Sequence, residues 1–290
     1  MVNNDSMCTG AEFRYRLAAI DLDDTLLGPN KQVSPENLDA IGRLRAAGCR
    51  VILASGREHH SMQTHQQRLG LDDFLVSSQG ALVVHPPSGR QLRRRPVAPA
   101  LAATLLARGR AEGFDVLLCT DVGFVATETS PWVVHDYAQR DGTMRVQVGD
   151  LDALVSEAPL KVLWYGKTEN VHAFSRVMTE ELGSAAQVVI TTPHLLEFNA
   201  PDATKATGVA AVAQHYGIDR RDVVTFGDSH NDVPMLEWAG LGIAMPHAVV
   251  EAHAAADVIG PESDPNCSLA VAVEGLLSGT LGERPVPARG

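Results

Sequence analysis

Short apolar runs that stop abruptly at polar residues recur along this chain, and the stretches between them carry apolar side chains at helical spacing. "LAAI" runs into "DLDDT", "VILA" into "SGR" and "VVTF" into "GDSHND". Such runs read as buried strands, and a buried strand ending on carboxylates puts charge at the lip of a core, where solvation is poor. After the first strand, "SPENLDAIGRLRAAG" offers Ser34 as an N-cap, Pro35 at the first helical position, a stripe of Leu38, Ile41 and Leu44, and Gly48 as a stop. The pattern then predicts a strand to Ser55, a helix over "EHHSMQTHQQRLG" ending near Gly70, and strand material in "FLVSSQGALVV" broken around Gly80. This β-α-β-α-β order predicts a parallel sheet with right-handed crossovers.

From about His85 the pattern changes. "HPPSG" is a turn, and the short runs "DVLLC", "GFVAT", "MRVQV" and "LKVLWYG" alternate with helical stretches, as in a separate α+β unit inserted into the first. From Leu195 the α/β alternation resumes with "LLEFN", a helix over "TKATGVAAVAQHYG", the strand "DVVTFGD" to Asp228, then "GLGIAM" and "ADVIG".

A length of 290 residues accommodates two such units, and 45% hydrophobic residues with only 5% aromatic suits parallel strands sandwiched between helices. A net charge of −11 argues against nucleic acid or an anionic membrane as a bulk partner, and the cluster Arg90, Arg93, Arg94 and Arg95 reads as a solvated face. Cys8, Cys49, Cys119 and Cys267 lie far apart without a CxxC pair, so reduced structural cysteines are expected. No apolar segment has signal-peptide or membrane-span character, which makes the cytoplasm the expected location. His59, His60 and His65 lack the i,i+4 spacing of helical metal ligands and read as an ordinary helix face, while the aromatics of "WVVHDY" and the pair Trp164 and Tyr165 read as packing residues.

The chemistry gathers at the strand ends. In a doubly wound sheet these lie on one edge, where ligands bind. Two carboxylates about 4 Å apart repel by about 4 kcal/mol at an effective dielectric near 20, so the acids after "LAAI" either take up protons or hold a cation. "ASGR" supplies the Ser55 hydroxyl, the close-approach residue Gly56 and the start of a helix, which seats a phosphate when read together with its neighbours and is an ordinary turn when read alone. "GDSHND" adds Asp228 and Asp232 with Asn231 between them. Hard oxygen donors without His or Cys favour Mg²⁺. Asp21 is then the candidate carboxylate nucleophile, Asp23 the candidate acid and base, and Lys205 the balancing charge for a transferring phosphoryl group.

These residues resemble the haloacid dehalogenase superfamily of phosphohydrolases, and within it the Cof-type subgroup with a type IIB cap. "DLDDT" matches the first motif, "SGR" the second, "TKA" the third and "GDSHND" the fourth, in order, across about residues 14 to 275. The resemblance implies a Rossmann-like doubly wound core from 14–84 and 196–278, an inserted α/β cap from 85–195 that sets substrate specificity, and flexible termini at 1–13 and 279–290. It implies Asp21 as nucleophile, Asp23 as general acid/base, and Mg²⁺ held by Asp21, Asp228 and the backbone carbonyl of Asp23. It implies phosphate contacts from Ser55, the backbone of Leu22 and Gly56, Lys205 and Asn231, with Asp232 one layer behind. Arg57 is a candidate for a substrate contact or a salt bridge. Departures from the subgroup pattern fall at Gln79, at Pro246 and His247, and in "GPESDPNCSLA".

The expected function is a Mg²⁺-dependent phosphatase acting on a small phosphorylated metabolite, a sugar phosphate or related phosphomonoester. A phosphomutase with the same chemistry and a non-catalytic phosphometabolite-binding protein are the competing readings.

Overall fold

The structure, a computed structural model, describes residues 13–135 and 145–281. Most of the expected flexible termini (1–12 and 282–290), Cys8 and the end of "WVVHDY" therefore lie outside the described residues. The chain opens with β1 (Leu17–Ile20), α1 (Pro35–Ala46), β2 (Arg50–Ala54), α2 (His59–Arg68), β3 (Leu75–Ser77), β4 (Leu82–His85) and β5 (Arg90–Arg94). It continues with α3 (Pro99–Ala111), β6 (Asp115–Thr120), β7 (Gly123–Ala126), α4 (Pro131–His135), β8 (Val146–Val148), α5 (Leu151–Leu154), β9 (Lys161–Tyr165), α6 (Thr168–Leu182), β10 (Gln187–Thr192) and β11 (Leu195–Asn199). It closes with α7 (Lys205–Tyr216), β12 (Val223–Gly227), α8 (Val233–Trp238), β13 (Leu241–Ala244), α9 (Val250–Ala255), β14 (Val258–Ile259) and α10 (Ser268–Ser278).

The first sheet runs β14-β13-β12-β1-β2-β3-β4-β5, parallel from β14 to β3 and antiparallel at β4 and β5. Every residue of β1 is buried, because Leu17 and Ala19 face a cluster with Val209, Val212 and Met235 while Ala18 and Ile20 face one with Leu44, Leu53 and Leu269. Burial on both faces is why these strands read as unbroken apolar runs. The chain leaves β1 toward β2 on one side and later returns to β12 on the other, so strand order reverses between β1 and β12. Ile20 is in register with both Leu53 and Phe226, which brings the ends of β1, β2 and β12 to one level on that edge.

The second sheet runs β10-β11-β9-β6-β7-β8. One face packs Leu105, Val116, Trp164 and Phe198 with α3 and α6, and the other carries Leu117, Phe124, Trp132, Leu163 and Leu195. Trp164 stacks on Phe114 with ring centres 5.1 Å apart and donates from Nε1 to the Leu105 carbonyl at 3.1 Å. Sheet membership differs from the expected 85 and 195 boundaries at both ends. Arg90–Arg94 pairs with β4 in the first sheet, and Leu195–Asn199 pairs with β9 and β10 in the second. "RQLRR" lacks the apolar pattern of a core strand because it is an edge, and the apolar "LLEFN" fits either sheet equally well.

Two local readings change. In α1, Asn37 is buried and Leu38 is 46% exposed, so the stripe is Ala40, Ile41 and Leu44. Asn37 tolerates burial because its Nδ2 donates to the carbonyls of Leu26 and Asn266 and its Oδ1 accepts from Ala270 N. Three of the four arginines of the cluster form a seam of ion pairs: Arg93 and Arg95 meet Asp202, and Arg94 reaches from the first sheet to Asp121 beside the second.

Three successive residues, Ser78, Gln79 and Gly80, have φ of 50°, 58° and 84°. A Cβ on Gly80 would also lie 2.1 Å from the Thr204 carbonyl oxygen, next to the start of α7. Gly80→Ala is therefore expected to destabilise the protein by about 2–4 kcal/mol, from left-handed backbone strain plus a backbone clash. A urea titration showing an unfolding free energy within about 0.5 kcal/mol of wild type would contradict this.

Candidate active site

Asp21 follows β1, Ser55 follows β2 and Asp228 follows β12, so the level register of three neighbouring strands delivers all three to one place. Lys205 enters from the first turn of α7, whose start is fixed by a capping box between Thr204 and Thr207. Its Nζ donates to Asp21 Oδ1 and to Asp232 Oδ1, each at 2.5 Å, and the side chain is only 1% exposed. Asp232 is fully buried, and its Oδ2 accepts from the backbone N–H groups of Asp228 and Ser229 at 3.0 Å. Both Asp232 oxygens are thus engaged, which fits a supporting residue. Asp228 Oδ1 accepts from the Thr25 hydroxyl at 2.6 Å.

Carboxylate oxygens of Asp21, Asp228 and Asp232 lie within 4.8 Å of one another. Burial, then the Asp232 charge, push the Asp21 carboxyl well above its ordinary value despite Lys205. The same two causes raise Asp228 to about 6. Burial would lower the Lys205 ammonium, but the facing carboxylates hold it above its usual range. One lysine among three acids leaves excess negative charge in a poorly solvated place, and these hard oxygen donors fit a small divalent cation such as Mg²⁺.

The three acids of "DLDDT" draw mainly on different cations, although Lys31 also comes within 3.9 Å of Asp23. Asp21 meets Lys205, Asp23 is held bidentately by Arg57 at 2.8 and 2.9 Å, and Asp24 meets Lys31 at 3.0 Å. Arg57 makes this salt bridge and also lines the cleft above the site, and its Nη1 lies 3.1 Å from His65 Nε2. Burial would raise Asp23, but the Arg57 hydrogen bonds and charge hold it below the usual carboxylate range.

A family model described as haloacid dehalogenase-like hydrolase matches residues 18–270. The chain belongs to the haloacid dehalogenase-like hydrolases. It is 29% identical over 234 residues to the HMP-PP phosphatase of Cronobacter sakazakii, covering 81% of this chain and 85% of that one. It is 30% identical over 250 residues to the 5-amino-6-(5-phospho-D-ribitylamino)uracil phosphatase YitU of Bacillus subtilis, covering 82% and 89%. A solved subclass IIB sugar phosphatase of this superfamily superposes with a TM-score of 0.78 at 17% identity, over 92% of this chain and all of that one, which shows the shared fold of core and cap. Both sequence relatives are named phosphatases, and this chain is a hydrolase of the same family.

A cleft of about 1290 Å³ opens over the hydrolase's carboxylates, lined from the core by Asp21, Ser55 and Asp228 and from the second sheet by Trp132, Ile190 and His194. Leu38 lines it as well, which accounts for its exposure. Among the candidate phosphate contacts, Asn231 also lines the cleft and its Nδ2 donates to Gln79 Oε1 at 3.1 Å, while the Leu22 carbonyl accepts from Leu26 N and Leu27 N. A Cβ on Gly56 would lie 2.5 Å from Gln79 Nε2, so any larger residue there would displace the Gln79 side chain. The departures of this chain make contacts of their own. His247 Nε2 donates to the Asp24 carbonyl at 2.6 Å, and Asn266 accepts from Asn37 through its carbonyl. The sequence missed Thr25 as the partner of Asp228, and it missed the buried Lys161–Glu197 pair in the second sheet. A charged residue inside "LKVLWYG" and another inside "LLEFN" were the available signals for that pair.

Proposed function

We propose that this hydrolase is a cytoplasmic Mg²⁺-dependent phosphatase that acts on a small phosphomonoester, a sugar phosphate or phosphorylated polyol, through an aspartyl-phosphate on Asp21. The observation that carries this reading is the Asp21 carboxylate, 4% exposed at the end of β1, tied to Lys205 and open to a cleft lined by both sheets. The ribityl phosphate in the name of one relative supports a phosphorylated polyol chain as the leaving group. Among the described residues no helix is long and apolar enough to cross a membrane.

In the first half-reaction an Asp21 oxygen attacks phosphorus and the bond to the leaving oxygen breaks, that oxygen taking a proton from Asp23. The Ser55 hydroxyl, the Gly56 and Leu22 N–H groups, Lys205 and Asn231 hold the phosphoryl oxygens. In the second, water attacks phosphorus, its proton passes to Asp23, and Asp21 leaves as a carboxylate with inorganic phosphate. Arg57 keeps Asp23 ionised in the resting protein, which suits the second half; donation in the first requires that pair to loosen when substrate enters. Asp21, Asp228 and the Asp23 carbonyl would hold Mg²⁺, which supplies positive charge against the phosphoryl oxygens. The second sheet, as the cap, would exclude water and select the leaving group.

The test is phosphate release from sugar phosphates, nucleotides, phosphoglycolate and flavin mononucleotide, with Mg²⁺ or EDTA. Chelation is expected to lower the rate by about 100-fold or more, reversibly on adding Mg²⁺. Release that is indifferent to EDTA would contradict the metal reading. Dependence on a sugar bisphosphate activator would favour a phosphomutase, and tight ligand binding without release a binding protein.

A further inference from the structure

The turn of residues 55–57 is held from two directions. From the core, Ser55 N donates to the Val76 carbonyl, Gln79 N to the Ser55 carbonyl, and Ser78 N to the Arg57 carbonyl. From the cap, Lys161 Nζ donates to the Gly56 carbonyl at 2.7 Å. Lys161 belongs to β9 of the second sheet, is 1% exposed, and forms a 2.7 Å ion pair with Glu197 Oε2 from the neighbouring strand β11. Glu197 in turn accepts from the Thr191 hydroxyl at 3.2 Å and lines the cleft.

The Gly56 carbonyl and the Arg57 N–H belong to one planar peptide unit. That N–H donates to Ser55 Oγ at 3.2 Å. By gripping the oxygen of this peptide, Lys161 fixes its plane, and with it the position of the serine oxygen on the other side. Among the described residues, the Gly56 N–H and the Ser55 hydroxyl proton are the donors of the turn that no protein group takes up. They are the donors that the proposed reaction needs for a phosphoryl oxygen.

A buried lysine is costly unless paired, and an ion pair with Glu197 alone could be formed wholly inside the cap. The additional reach to a core carbonyl ties the cap to the phosphate-binding turn. We propose that Lys161 is a positioning residue, which holds the Gly56–Arg57 peptide from the cap side so that the Gly56 N–H and the Ser55 hydroxyl meet the phosphoryl group. This rests on the phosphatase reading above. Lys161 touches neither substrate nor the reacting atoms and acts through the backbone of the turn.

The experiment compares wild type, Lys161→Met and Lys161→Met with Glu197→Gln, the double variant leaving no unpaired buried charge. Three quantities are measured: thermal stability, kcat and KM for p-nitrophenyl phosphate with Mg²⁺, and calorimetric affinity for orthovanadate. The expected result is a folded double variant whose orthovanadate affinity and kcat each fall by about tenfold or more, as for loss of hydrogen bonds to a charged group. A double variant that melts at a lower temperature yet keeps wild-type kcat and orthovanadate affinity would overturn the proposal and leave Lys161 a structural residue. If wild type binds orthovanadate without turning over substrate, the phosphatase reading fails while the binding arm still decides the role of Lys161. If wild type binds no orthovanadate, both fail.

Discussion

Asp21→Asn is expected to lower kcat by about 10⁴-fold or more while leaving the fold intact. The amide has the shape of the carboxylate but cannot attack phosphorus at a useful rate. Its effect on stability should be small for a physical reason visible in the site. Asp21 is buried among Asp228 and Asp232 with Lys205 as the nearest cation, and its carboxyl is pushed upward by that environment. Neutralising it removes repulsion as well as attraction, and Lys205 keeps Asp232 as a partner. A stability change within about 1 kcal/mol follows, read from a urea titration beside the kinetics. A variant that retains a tenth of the wild-type rate would show that the nucleophile lies elsewhere.

Lys205→Met carries the second large effect, on stability and catalysis together. The lysine is 1% exposed and bridges two carboxylates that are 4% and 0% exposed. Its removal leaves both acids buried without their cation, at an expected cost of about 3–5 kcal/mol. The phosphoryl group also loses its fixed positive charge. The two effects separate in Lys205→Met combined with Asp232→Asn, which removes one of the stranded charges. That double variant is expected to recover part of the lost stability and none of the lost activity. Full recovery of activity would show that Lys205 serves only to hold Asp232.

Much of this site was legible because each element announces itself locally. A four-residue apolar run before "DLDDT" fixes β1, and Gly227 before Asp228 fixes the exit from β12. Parallel topology then forces the ends onto one edge, and four motifs in order fix the family. The contacts between motifs were not legible, because they depend on side-chain reach across strands. The adjacency of Asp23 and Asp24 to Asp21 in sequence suggested a single cluster, yet the carboxylates that come within 4.8 Å of one another are those of positions 21, 228 and 232. Asn37 in place of Leu38 on the buried face of α1 shows the same limit, since only the carbonyls of Leu26 and Asn266 make burial of the amide favourable. The edge strand β5 escaped notice because a charged edge has no apolar rhythm to read.

The central claim is a covalent phosphoryl group on Asp21. The most direct test uses Asp23→Asn with p-nitrophenyl phosphate, whose leaving group needs no proton, so that the intermediate forms and its hydrolysis is slowed. Acid quench, borohydride reduction and peptide mass spectrometry then locate the acyl phosphate, because reduction converts a phosphorylated aspartate to homoserine. Homoserine at position 21, absent without substrate and absent when Asp21→Asn is added, is the expected result. Stoichiometric phosphate release with Asp21 unmodified, or homoserine at another aspartate, would contradict the account.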